Sequence, residues 1–166
     1  MSTPMLPLQS LNHPSKRKAM LHSSSRSALK TLEYVLTGRL HFKRHRLGQI
    51  VTADDGQSYT IFREIVVDPR RDQPEKSCAV FILHFRVTNL SPRLNRLLLL
   101  LPIPLYVGFP GFRSKAYTIN GSFCQSIYEF DTVQDAEAYA RSAALQFITR
   151  RSVPGSVSYK IIPNKG

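Results

Sequence analysis

Apolar positions between residues 79 and 163 recur first at every second residue, then at three- and four-residue steps. That change of period predicts strand, helix, strand, strand, helix, strand. In the run Ala79-Val80-Phe81-Ile82-Leu83-His84-Phe85-Arg86-Val87, alternate side chains point to opposite faces. Phe81, Leu83 and Phe85 share one face; Val80, Ile82, His84 and Arg86 share the other. Val80 and Ile82 make the second face apolar at one end, as in a strand buried on both sides. Ser91 as cap and Pro92 in the first turn predict a helix carried by Arg93 to Leu101 and stopped by Pro102 and Pro104. Strands at 112–119 and 123–130 flank Asn120-Gly121, a dipeptide preferred in type I′ hairpin loops. That loop would pair Arg113 with Tyr128, Lys115 with Ser126 and Tyr117 with Cys124, all on one face. Thr132 followed by Asp135 starts a second helix, with Ala136, Tyr139, Ala140, Ala143, Ala144 and Phe147 as one stripe. Pro154-Gly155 turns the chain into a last strand at 156–162. The order is the split βαβ, or ferredoxin-like, arrangement: an α+β fold with both helices on one face of an antiparallel sheet.

Ahead of this domain, 78–166, the pattern divides in two. Residues 1–27 are rich in Ser, Pro, Lys and Arg and are expected to be a disordered basic tail. Residues 28–77 hold a short amphipathic helix marked by Ala28, Leu29, Leu32, Val35 and Leu36, then the basic cluster from Arg39 to Arg46. A hairpin over 49–67 turns at Asp55-Gly56, and a polar linker follows at 68–76.

Charge sharpens that division. The chain of 166 residues carries +12, and residues 1–50 hold nine Lys or Arg against a single acid, Glu33. Lys43, Arg44 and Arg46 are thus candidates for weak contact with an anionic surface, nucleic acid or lipid. The run Leu97 to Leu101 is too short for a membrane span, which needs about 20 apolar residues. Two cysteines, Cys78 and Cys124, lack disulfide-framework or metal spacing and fit a reducing, cytoplasmic setting. No signal-peptide core is expected, although an Arg- and Ser-rich N-terminus also suits an organellar transit peptide.

Catalytic chemistry has few places to sit. Phosphate loops, dinucleotide fingerprints and metalloprotease motifs are missing. Four of the five histidines lie in the basic extension, so His84 is the candidate imidazole base within the domain and no metal site is expected. Arg113, Lys115, Tyr117 and Tyr128 form a second group: two cations framed by two phenols can hold an enolate-like oxygen and an aromatic substrate. The same residues would equally serve as a cationic rim at a subunit interface.

The run Pro110-Gly111-Phe112-Arg113-Ser114-Lys115, with Tyr117, Ile127-Tyr128-Glu129-Phe130, Asp135-Ala136-Glu137-Ala138-Tyr139 and Ser152-Val153-Pro154-Gly155-Ser156-Val157, resembles the dimeric α+β barrel superfamily, nearest its small monooxygenases. The resemblance covers about residues 78–163. It implies a homodimer packed sheet against sheet, with a pocket between each sheet and its helices for a small apolar or aromatic molecule. Phe85, with Phe81 and Leu83, or else Ile82 and His84, would line that pocket. It also implies cofactor-independent, monooxygenase-like oxidation of an apolar or phenolic compound. No histidine stands in either domain helix to hold a haem, so no cofactor is expected. Two other readings stay open: a non-catalytic dimer that binds a hydrophobic ligand, and RNA recognition through the same βαββαβ sheet. Against the latter, Gln125 and Ile127 stand where base-stacking aromatics belong.

Overall fold

Period-two alternation is realised in β5 (Ala79–Arg86), where Phe81 and Leu83 are fully buried on one face while Ile82 and His84 are half-buried on the other. The computed structural model describes residues 6–7, 14–53, 56–69, 78–87 and 102–164. The other strands are β1 (Leu6–Pro7), β2 (Leu40–Lys43), β3 (Ile50–Thr52), β4 (Ser58–Val67), β6 (Phe112–Asn120), β7 (Phe123–Phe130) and β8 (Ser158–Pro163). The helices are α1 (Pro14–Leu36), α2 (Ile103–Tyr106), α3 (Val133–Ala140) and α4 (Ala143–Arg151). Among the described residues one sheet runs β1-β8-β5-β7-β6-β4-β2, with β3 paired to β4, and every pairing is antiparallel. Its centre, β8-β5-β7-β6, has the fourth, first, third and second domain strands side by side. This is the ferredoxin-like α+β sheet, lengthened at the β6 edge by the N-terminal hairpin.

The helix face is the one bearing Phe81, Leu83 and Phe85: Phe81 meets the Tyr139 ring of α3 edge-on at 5.4 Å. Thr132 caps α3 by accepting from the Asp135 amide at 3.0 Å. The second domain helix is not continuous. Ser142 turns extended and caps α4, accepting from the Leu145 amide at 3.3 Å, so the helical phase restarts there. Leu145 and Ile148 are therefore buried in place of Ala143 and Phe147.

The β6–β7 turn also differs from the expected one. Asn120 pairs with Phe123, and Gly121 alone has positive φ, +58°, so the loop is Gly121-Ser122. A type II′ turn needs positive φ only at its first central residue, which glycine supplies without cost. Pairing moves by two residues, bringing Lys115 opposite Tyr128 and Tyr117 opposite Ser126. An even slip keeps the side chains from Ser114 to Ile119 on their expected faces.

Residues 14–27, assigned by composition to a disordered tail, form the first turns of α1. Lys16, Arg17, Lys18, Ala19, Met20 and Leu21 are all strong helix formers, which composition alone obscures. The helix expected between Arg93 and Leu101, and most of the linker at 68–76, lie outside the described residues.

Candidate active site

Lys115 is the chemical centre of the helix face. As a β6 residue facing the core it is 1% exposed. Its Nζ lies 3.9 Å from the ring centre of Tyr117, 4.4 Å from that of Tyr106 and 4.5 Å from that of Tyr128. Three elements build this cage: Tyr117 comes from the same strand, Tyr128 from the cross-strand position on β7, and Tyr106 from α2. The Tyr106 and Tyr117 hydroxyls hydrogen-bond to each other, and the Tyr139 hydroxyl donates to that of Tyr128 at 3.0 Å.

Burial sets the proton affinities here. Loss of hydration disfavours the ammonium and pulls Lys115 well below its ordinary value, with Cys124 opposing weakly. The same desolvation raises Tyr106, Tyr117, Tyr128 and Tyr139. It pushes the Cys124 thiol up to about 12. The result is an amine held toward its neutral, lone-pair form beside four phenols held toward their O–H form. Such a set can accept a proton at Nζ and donate hydrogen bonds to an oxygen that gains charge.

Lys115, Tyr117 and Tyr128 are thus brought together as expected from sequence. Phe85 lies on the same face one level away, opposite Cys124, and is 3% exposed. Arg113 does not join them. A β-bulge between Phe112 and Ser114 takes it out of the ladder, and its Nε donates to the buried Asp131 carboxylate. Tyr106 and Tyr139 were not among the candidates. Tyr139 stood in the predicted stripe, where a phenol among alanines was the available signal. Tyr106 reaches the site only through the tertiary placement of α2.

His84 is on the opposite face of the sheet from Lys115. Gln125 Nε2 and His84 Nε2 are hydrogen-bonded at 2.8 Å. The Tyr59 ring lies parallel to the imidazole, 6.1 Å between centres and 8° between planes. A bulge in β4 between Ile61 and Arg63 sends Phe62 to the helix face against Tyr117, while Tyr59 and Ile61 stay buried on the other. His84 and the tyrosine cage are therefore two separate places, divided by the sheet.

The basic cluster is distributed along the outer strands. Lys43 and Arg44 are exposed; Arg46 donates to Glu64 Oε1 at 2.9 Å. Among the described residues no group of His, Cys, Asp or Glu is arranged to hold a metal, and no helix is long and apolar enough to cross a membrane.

No family model matches the chain, and no curated protein matches it. A solved structure, that of an anthrone oxidase-like protein, is similar over 63% of this chain and 54% of its own length, at 21% identity and a TM-score of 0.42. The chain thus spans about half of that protein, and a likeness so distant carries no argument about the reaction; the fold assignment rests on the strand order itself.

Proposed function

We propose that this chain oxidises a small apolar or phenolic compound without a cofactor, using Lys115 as the base. The observation that carries the reading is the Lys115 amine enclosed by Tyr106, Tyr117 and Tyr128 beneath the helices. A neutral amine takes the proton from an activated C–H of the substrate. The phenols exchange their mutual hydrogen bonds for bonds to the oxyanion that forms. The resulting carbanion is electron-rich enough to react with dioxygen directly. For a CH₂ group the balance is one dioxygen consumed, a carbonyl formed and one water released. A homodimer is part of the proposal, a second copy covering the apolar positions Val80, Ile82, Ile127 and Ile162, of which Ile162 is 37% exposed.

Oxygen uptake with a panel of phenols and cyclic ketones bearing an acidic CH₂, with products read by mass spectrometry, tests this. Lys115→Met is expected to abolish turnover and His84→Ala to leave it. Loss with His84→Ala and retention with Lys115→Met would place the base on the other face. A second reading is favoured by the pairing of the phenols with one another: a non-catalytic dimer that stores a hydrophobic ligand. Wild-type protein that retains a compound in equilibrium dialysis yet consumes no oxygen would establish that reading instead.

A further inference from the structure

The surface of α1 is inverted. Ser27, Thr31 and Tyr34 are its buried face, at 3%, 7% and 8% exposure, whereas Leu29, Leu32 and Leu36 stand out at 68%, 53% and 77%. The inward side is polar for a structural reason. Ser27 Oγ donates to the Leu105 carbonyl at 2.6 Å and Thr31 Oγ1 to that of Pro104 at 3.1 Å, tying α1 to α2. Successive helical residues turn by about 100°. Leu29, Leu32 and Leu36 accordingly form one narrow stripe, diametrically opposite the face that docks.

The exposure is regional. Seven of the nine large apolar side chains exposed among the described residues fall between Leu29 and Ile50. Residues 1–50 also carry two thirds of the net positive charge, +8 of +12, with nine Lys or Arg against one acid. That acid, Glu33, is already bonded to Lys30. Gly38, at φ +66°, ends α1, and β2 begins at Leu40, so Phe42, 53% exposed, and exposed Lys43 and Arg44 follow the stripe at once.

We propose that this N-terminal surface is a docking site for an anionic lipid bilayer, with the Leu29-Leu32-Leu36 stripe entering the headgroup boundary and the surrounding cations meeting lipid phosphates and carboxylates. The pairing of leucine with Lys and Arg decides the partner. A second copy would bring the same positive charge against itself. RNA would satisfy the cations and leave the leucines in water. A bilayer interface takes both at once, which is the chemistry of interfacial amphipathic helices.

Sedimentation of the full chain with vesicles tests it, comparing phosphatidylcholine alone with a phosphatidylcholine–phosphatidylserine mixture. Binding should appear only with the anionic mixture and weaken with salt. Leu32→Ser should weaken it by about tenfold or more, because the leucine side chain leaves water on docking. Lys43→Glu with Arg44→Glu should do the same, and far-ultraviolet circular dichroism should be unchanged in both variants. Because these residues lie outside the tyrosine cage, oxygen consumption serves as an independent control of the folded domain. Absence of binding to the anionic vesicles overturns the proposal. So does binding that Leu32→Ser leaves intact, which is charge attraction alone. A dimer dispersed by Leu32→Ser, or RNA affinity that outcompetes vesicles, assigns the surface to another partner and also overturns it.

Discussion

Replacing Lys115 by methionine keeps a flexible unbranched side chain of similar length among Tyr106, Tyr117 and Tyr128 and removes only the amine. In the unfolded chain Lys115 keeps its proton up to its ordinary value of 10.5; in the fold, burial strips it at lower pH. Between those two limits the unfolded state binds one more proton, so stability rises with pH. Each pH unit in that window is worth about 1.4 kcal/mol, or roughly 3–6 °C in Tm for a chain of this size. Two opposing groups close the window. Cys124 ordinarily ionises at 9.0 and holds its proton to about 12 in the fold, so above pH 9 it lowers stability as pH rises. The raised phenols do the same above their ordinary 10.0. Wild-type Tm should therefore climb as pH approaches 9 and then turn over. Lys115→Met should melt higher at neutral pH and lose that climb. Differential scanning fluorimetry in half-unit pH steps reads both. An unchanged slope in the variant would show that Lys115 is not the proton-poor group, and the catalytic proposal would lose its base.

Two further predictions concern the scaffold around the cage. A Cβ at Gly108 would lie 2.7 Å from the Ser27 carbonyl carbon and closer still to its oxygen, so Gly108→Ala should push α1 off the loop. The expected cost is about 1–3 kcal/mol, with faster proteolysis in α1 as the second readout; an unchanged melt and digest would mean that α1 does not dock there. Asp131→Ala removes the carboxylate bonded to Arg113, whose side chain is 8% exposed, and leaves a buried guanidinium short of its partner. The expected loss is about 3–5 kcal/mol, measured by urea unfolding. A loss under 1 kcal/mol would mean that water reaches Arg113.

The order of the strands, the face shared by Lys115, Tyr117 and Tyr128, and the Thr132 cap were all legible in the sequence, because each is written in local periodicity or in one capping residue. The two-residue register error at Gly121 did no harm, since side chains return to the same face every second residue. The break at Ser142 was less visible: a serine within a helical pattern reads equally as an interior residue or as a cap, and only packing chooses. Arg113 shared the right alternation but left the site because a bulge, which has no period, intervened beside Asp131. His84 and Lys115 both looked like candidate chemistry on strands of one sheet, β5 and β6, with β7 between them. Sequence fixes the alternation along a strand but not which face the helices cover, and that choice is made by the burial of Phe81, Leu83 and Tyr139 together. It put the amine under the helices and the imidazole on the far side. Tyr106 completes the cage from 11 residues before Tyr117, and no local pattern announces it. Its position depends on α2 resting against α1, a contact between distant parts of the chain that exists only once the whole fold is assembled.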